Sequence, residues 1–457
     1  MRISPRFRGV RAVSLGSALI FALPHMSKTL LDEILSEERF QALASSGGAR
    51  FGRLCHTLLA REKGTWTRRH FYQLIVEADV FEALLDDLGA GHNRRYRPLR
   101  ELAASLRGLS RAGFAVRHLE SRLDTYSIAS SCSGDEEERF TQAVIESRRF
   151  LEQSLRGLLS AALEESSAGN IVLESEIFAD EEYLSNKDRR RLARNLDGEI
   201  QEDEEHYIAT VATRYIEVSE LFLALKINPN ATPEERERFR QEVCTEEQAR
   251  VYEASVHNLQ STYDTYIKNT TLEEGDARLV HMRGHVSVAF HLLEACTELM
   301  HFVERHEHAR SPGSSSRILD AVDRSRVVQI ALENLLFWAS QMITMGRPYA
   351  EALLPTYTEQ SELLVEVPPE LTLHARPVAL IVKIVNHHGT ATSCEVGGTA
   401  CNAGSILEMM VTVGSYPDLN KYCFRGDMRT LEDIRCLFAA GLGEGGEGTL
   451  PAELDYL

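Results

Sequence analysis

The stretch "LTLHARPVALIVKIVNHHG" (Leu371–Gly389) decides how the C-terminal part of this chain folds. Apolar residues dominate it and predict a helix, yet it opens with a histidine, an arginine and a proline within four residues. An amphipathic helix needs no histidine at its first position, whereas a site that binds or carries an anion does. The start of this helix is therefore the first candidate site.

The chemistry of these residues predicts a phosphoryl carrier. If the helix begins just after His374, the backbone N–H groups of Ala375 and Arg376 point outward and add to the helix dipole, which makes an anion site. Pro377 is tolerated in the first turn, and the guanidinium of Arg376 suits phosphate geometry. The neutral ring of His374 supplies a nucleophilic nitrogen. Taken alone, the four residues fit equally a histidine that caps a helix beside a surface arginine.

The sequence downstream of Pro355 predicts a separate small α+β domain, residues 361–443. The stretch "SELLVEVPP" alternates as a strand does, and "TATSCEVGGTACNA" predicts a hairpin that turns at Gly397-Gly398. The predicted element order is β-α-β-β-α-β-α. The remaining residues, 444–457, are predicted to be a flexible acidic tail.

Two motifs in this domain resemble the HPr family, the histidine-containing phosphocarriers of the bacterial sugar phosphotransferase system. "LHARPVA" is similar to the family's active-site motif, and "CNAGSILEMM" (Cys401–Met410) is similar to its regulatory-serine segment. The two key positions are 31 residues apart (405 − 374 = 31), as in the family, without a gap. The resemblance implies an open-faced β-sandwich, a four-stranded antiparallel sheet with three helices.

The resemblance also implies roles for individual residues. His374 would accept the phosphoryl group, with Arg376 beside it, and Ser405 would be phosphorylated by an HPr kinase/phosphorylase. The partner-docking patch would consist of Ile406, Leu407 and Met410. The expected partners are an enzyme I-type phosphoryl donor and an enzyme IIA-type or regulatory acceptor. The chain would then be a phosphoryl-carrier intermediate rather than an autonomous catalyst.

Two positions depart from the family's pattern, and the charge of the domain differs as well. Thr372 stands where a glycine usually precedes the leucine-histidine pair, and Val413 replaces a loop glycine. Residues 361–457 hold 13 Asp and Glu against 6 Lys and Arg, a balance of −7. Because family partners commonly present an acidic face, docking is expected to be slowed by repulsion, which favours a regulatory role.

Residues 26–357 predict a large all-α bundle, with two sub-bundles as one arrangement. Its last helix is expected to end at Gly346. Residues 1–25 are interpreted as a disordered extension or a mis-assigned start. The net charge of −18 argues against nucleic-acid binding, and no segment is expected to insert into a membrane. Eight cysteines without metal-type spacing predict reduced thiols in a cytoplasmic protein.

The helical region contains residue pairs at metal-ligand spacing, but no cofactor or metal is predicted. Glu298 and His301 form an ExxH pair, Asp203 and His206 share that spacing, and chance pairs are expected in so charged a chain. The basic run "KDRRRLAR" (Lys187–Arg194) is followed at once by acidic residues, so a salt-bridged surface is expected.

Three functions follow from these observations, in order of preference. The first is a phosphocarrier or phosphorylation-state regulator of a phosphoenolpyruvate-dependent phosphotransferase system that uses His374. The alternative is a regulatory binding scaffold that uses the same surface without phosphotransfer. The third is a metal-dependent oxidase in the helical region.

Overall fold

Helices account for most of this chain in the computed structural model, which describes residues 34–128, 132–184, 204–307, 314–368, 371–444 and 450–457. The predicted extension 1–25, the basic run Lys187–Arg194 and Asp203 lie outside the described residues. The helices before the sheet are α1 (Glu37–Gly47), α2 (Ala49–Ala60), α3 (Arg68–Asp87), α4 (Arg97–Glu120), α5 (Gly134–Ala168), α6 (Glu204–Ala224), α7 (Pro233–Val243), α8 (Glu246–Tyr266), α9 (Thr271–Gly275), α10 (Ala277–Glu307), α11 (Ser314–Ala321), α12 (Arg324–Gln329) and α13 (Phe337–Tyr357).

The core of the helical region is built around α10, which packs against α4, α8 and α13. Within the described residues α10 is also the one helix apolar and long enough, over Ala277–Arg305, to cross a membrane. Its most apolar window is 72% buried among the neighbouring helices. That burial is what a central core helix shows.

The prediction that the last helix of this region ends at Gly346 is wrong. A π-helical turn (Ile330–Leu336) leads into α13, which continues to Tyr357. A Cβ atom at Gly346 would collide with the hydroxyl of Tyr215 and lie 2.8 Å from the Cβ of His285. The glycine therefore allows helices to approach closely and does not end one.

The small domain has the predicted element order, and its sheet is antiparallel throughout. Four strands lie in the order β1-β4-β2-β3, with one buried face and one charged face. Gly397 and Gly398 both have positive φ angles, +59° and +82°, and close the predicted hairpin. The elements are β1 (Gln360–Glu366), α14 (Ala375–His388), β2 (Ser393–Val396), β3 (Thr399–Asn402), α15 (Ile406–Ser415), β4 (Lys421–Asp427) and α16 (Met428–Ala439).

The two faces of the sheet differ in what covers them. On one face, Phe424 and Cys394 are fully buried in the core that also contains the apolar residues of α14 and α16. On the other face, the guanidinium of Arg425 binds the carboxylates of Glu362 at 2.9 Å and Glu395 at 2.5 Å. The chain is thus a mostly helical protein with a small four-stranded antiparallel sheet near its C-terminus, as predicted.

The prediction of a flexible tail is wrong for residues 450–457. Leu454 is buried in the small-domain core, and the ring of Tyr456 stacks on that of His387 with centroids 3.7 Å apart. The hydroxyl of Tyr456 donates to the carboxylate of Asp433 at 2.5 Å. Apolar and aromatic residues between the acidic ones therefore dock this end of the chain.

The helical region contacts the small domain at the C-terminal end of α14. The hydroxyl of Thr210 on α6 donates to the backbone carbonyl of His388 at 3.0 Å. Arg429 and Glu205 form an ion pair at 3.6 Å. Because α14 has 14 residues, its N-terminus lies about 20 Å from this contact.

The buried His285 predicts a pH dependence of stability in the helical region. Its pKa is lowered to about 4, chiefly by burial and also by nearby His281, against a backbone hydrogen bond at Met342. The unfolded chain binds this proton near pH 6.5, so stability is present above that pH and is lost as pH falls towards 4. Between pH 6.5 and 5, the free energy of unfolding should fall by up to about 2 kcal/mol from this group.

Urea unfolding followed by tryptophan fluorescence measures this loss, because both tryptophans, Trp66 and Trp338, are buried in the helical region. His285→Gln should make the fall in unfolding free energy with pH shallower, whereas the exposed His92→Gln should leave it unchanged. Equal slopes in wild type and His285→Gln would contradict the assignment.

Candidate functional site

The first candidate site lies at the N-terminus of α14, where His374 is the N-cap residue. Its backbone is extended, and its carbonyl accepts the N–H of Val378 at 3.1 Å. Nδ1 of its ring accepts the N–H of Arg376 at 3.4 Å. The helix therefore begins at Ala375, the position on which the sequence argument depended. The histidine is both the cap and the exposed group at the end of the helix dipole.

The groups around this ring favour an anion. Ala375 is exposed, and its N–H makes no hydrogen bond within the described part of the chain. Arg376 is also exposed, and its guanidinium forms no ion pair with any described residue. Pro377 has no N–H to satisfy. One amide, one guanidinium and the helix dipole are thus available to a ligand at the ring.

Glu444 is the residue of this site that the sequence analysis missed. Its carboxylate lies 3.2 Å from Nε2 of His374, although residue 444 was assigned to the flexible tail. The tight turn Gly441–Gly443 places it there, because Leu442 is fully buried in the small-domain core between two glycines with positive φ. The repeated glycines around one leucine in "AAGLGEGG" were the only sequence signal for this turn.

One hydrogen bond of His374 assigns its tautomer. Nδ1 accepts a backbone N–H, so in the neutral ring the proton resides on Nε2, and the Glu444 carboxylate lies 3.2 Å from that nitrogen. The lone pair of Nδ1 then faces the helix terminus. Because the side chain is 51% exposed, a partner can reach that nitrogen from solvent.

A groove lies beside the histidine. Its volume is about 380 Å³, and His374 and Met410 both line it, together with Leu371, Leu419 and Tyr422. The groove separates the loop before α14 from the C-terminal half of α15. Its walls are mostly apolar, so it offers a docking surface next to the ring nitrogen.

The regulatory-serine segment forms the helix start that the sequence predicted. Ser405 is the N-cap of α15, and its hydroxyl accepts the N–H of Glu408 at 3.3 Å. Three residues of the predicted patch are exposed, Ile406 by 53%, Leu407 by 74% and Met410 by 36%. Met409, between them on the helix, is buried. Val411, which was not predicted, is 60% exposed and extends the patch.

The two cysteines of the hairpin lie opposite one another but form no disulfide bond. Cys394 and Cys401 are directly opposite one another on β2 and β3. All eight cysteines lie within the described residues and are free thiols. Burial raises the pKa of Cys394 to about 12, so its thiol is protonated and unreactive at neutral pH.

The residues around the ExxH pair of the helical region differ from those of a di-metal site. Glu298 and His301 are on the same face of α10, but arginines surround them. His301 binds Glu246 on α8 at 2.9 Å. Among the described residues, no group of three or more His, Cys, Asp or Glu side chains is arranged to hold a metal ion.

Comparisons of the chain with family models, with curated proteins and with solved structures found no match.

The tautomer of His374 is testable by substitution of Glu444. In wild type, ¹⁵N NMR of the neutral ring should show the proton on Nε2. Glu444→Ala should shift the population towards a mixture of the two tautomers, because the carboxylate beside Nε2 is removed. The same substitution at Glu453, an exposed carboxylate of the same domain, is the matched control. An unchanged tautomer in Glu444→Ala would contradict the assigned network.

Proposed function

We propose that this chain is a phosphocarrier or phosphorylation-state regulator of a phosphoenolpyruvate-dependent phosphotransferase system, and that Nδ1 of His374 accepts the phosphoryl group. The main support is a single observation: His374 caps α14 with Nδ1 directed at the helix terminus and Nε2 bound to Glu444. The nucleophilic nitrogen, the positive end of the helix and a cation are then in one place.

The step is a phosphoryl transfer from a phosphohistidine of an enzyme I-type donor. The Nδ1 lone pair of His374 attacks phosphorus, the new N–P bond forms, and the N–P bond of the donor breaks. The donor's ring nitrogen takes back its electron pair. The ring of His374 keeps its Nε2 proton and becomes more positive, so the carboxylate of Glu444 stabilises the phosphorylated form.

The anion formed on Nδ1 meets donors that are already in position. The long 3.4 Å contact between the Arg376 N–H and Nδ1 is replaced by hydrogen bonds from that amide and from Ala375 to phosphoryl oxygens. The Arg376 guanidinium reaches the same group. These donors need no large rearrangement, because the helix already holds both amides.

The form of the small domain also supports the proposal. Its element order, its sheet order β1-β4-β2-β3 and its uncovered charged face fit the open-faced β-sandwich that the HPr resemblance implies. The helical region packs near His388, at the other end of α14, and leaves the His374 end accessible. Donor and acceptor proteins in the cytoplasm would therefore dock without displacing the helical region.

The groove and the apolar patch supply the docking surface for these partners. Met410 lines the groove beside His374, and Ile406 and Leu407 present exposed apolar area on the same helix, as an enzyme IIA-type or regulatory acceptor would need. The balance of −7 over residues 361–457 slows association with acidic partners. A regulatory role, in which transfer need not be fast, fits this charge better than general sugar transport.

Phosphotransfer to His374 tests the proposal directly. Incubation with phosphoenolpyruvate and a general enzyme I should add one phosphoryl group to the wild-type chain, read by intact mass spectrometry. The linkage should be acid-labile and base-stable. His374→Ala should accept none, whereas His92→Ala, another exposed histidine, should accept as wild type does.

Equal phosphorylation of wild type and His374→Ala would reject His374 as the acceptor. Absence of phosphorylation in wild type, with a conventional HPr accepted by the same donor, would favour the scaffold function over the carrier function. Partner binding that survives His374→Ala would then identify the scaffold.

Ser405 is proposed as the regulatory site of an HPr kinase/phosphorylase. Ser405→Asp retains a side-chain cap acceptor for α15 and adds a negative charge next to the docking patch. The rate of transfer to His374 should fall about tenfold or more, since like charge repels an acidic partner. Ser361→Asp, on the exposed strand β1, should transfer at the wild-type rate. Equal rates in the Ser405→Asp and Ser361→Asp variants would contradict regulation at Ser405.

A further inference from the structure

A second cavity lies in the helical region, where α4, α8 and α10 meet. Its volume is about 260 Å³. Its lining includes four arginines, a histidine and two glutamates: Arg107, Arg111, Arg250, Arg305, His301, Glu101 and Glu298. Such a concentration of cations is unexpected in a chain whose net charge is −18.

Helical spacing brings these side chains together. Arg107 and Arg111 are four residues apart on α4, so they share one face. Glu298, His301 and Arg305 follow one another at spacings of three and four on α10, which also defines one face. The cavity is the space between the two faces, and Arg250 of α8 closes it.

Two of the arginines are held in place by carboxylates that do not line the cavity. Nε of Arg107 lies 2.7 Å from Glu82, and Nη2 of Arg250 lies 2.7 Å from Glu246. Each pair fixes a guanidinium and offsets part of its charge from outside the cavity lining. The arginines are therefore oriented before any ligand arrives.

The other two arginines retain N–H donors that a ligand can use. Arg111 contacts Glu298 only at 3.6 Å, longer than a hydrogen bond. Arg305 is exposed and forms no hydrogen bond or ion pair within the described part of the chain. An arginine that is neither paired nor needed for packing is available to an anion from solvent.

Cationic side chains outnumber carboxylates in the cavity lining. Four guanidiniums line it together with two carboxylates, Glu101 and Glu298. Glu101 lies 3.7 Å from Arg97 and 3.9 Å from Arg100, which lie outside the cavity lining. Burial raises the pKa of Glu298, opposed by Arg111 and His301.

We infer that this cavity binds a small phosphate-bearing anion. Guanidiniums pair with phosphate oxygens in bidentate geometry, and several of them converge on one small volume. A cavity of about 260 Å³ admits an anion of the size of pyrophosphate or a small phosphorylated metabolite, but not a folded peptide or a nucleic-acid strand. The inference is independent of phosphotransfer at His374.

Calorimetric titration of the full chain with pyrophosphate tests it. The Arg376→Gln background removes the guanidinium at the His374 end, so that the remaining binding reports on the cavity. Binding should persist in that background and should weaken about tenfold or more when Arg111→Gln and Arg305→Gln are added. Inorganic phosphate should bind more weakly than pyrophosphate, because it reaches fewer guanidiniums.

The matched control is Arg94→Gln, which removes one positive charge from an exposed turn outside the cavity. It should leave pyrophosphate affinity unchanged. Circular dichroism checks that each variant is folded; Arg305, which forms no hydrogen bond or ion pair within the described residues, is the substitution least able to disturb folding. The inference is overturned if pyrophosphate does not bind, or if the cavity variants bind it as tightly as the Arg94→Gln control. Neither result would bear on the transfer of phosphate to His374.

Discussion

The hydrogen bond from the Arg376 amide to Nδ1 of His374 is the interaction on which the candidate site depends. It defines the first turn of α14, and it leaves the ring proton to Nε2, which lies 3.2 Å from the carboxylate of Glu444. One side chain thereby ends a loop, starts a helix and presents a basic nitrogen at the positive end of the dipole. If the helix began elsewhere, the same residues would form a surface without this chemistry.

The two ends of α14 have different neighbours, and this separation organises the molecule. The N-terminal end is open to solvent beside an apolar groove. The C-terminal end is contacted by Thr210 of α6 and by the docked Tyr456. A rigid helix about 20 Å long joins them. The helical region is thus attached to the small domain without obstructing its exposed histidine.

Two places in this acidic chain are rich in cationic groups. The net charge is −18, yet the helix terminus near Arg376 and the cavity lined by Arg107 and Arg111 both favour anions. Elsewhere most guanidiniums are matched by carboxylates, as Arg425 is by Glu362 and Glu395. A locally positive site in an acidic chain attracts small anions while the whole surface repels polyanions.

Much of the local structure of this protein could be predicted from the sequence alone. Caps, turns and apolar periods act over a few residues, so α14, the Gly397-Gly398 hairpin, the element order and the exposure of the Ser405 segment were predictable. Only the tertiary structure decided the rest. Glu444 reaches His374 across 70 positions (444 − 374 = 70), and the arginine cavity combines α4, α8 and α10. From the local sequence, Gly346 was predicted to end a helix. Its actual role is to allow the close approach of Tyr215, and this contact involves a residue that is distant in sequence. Contacts between distant residues depend on how elements pack, and no short pattern encodes that packing.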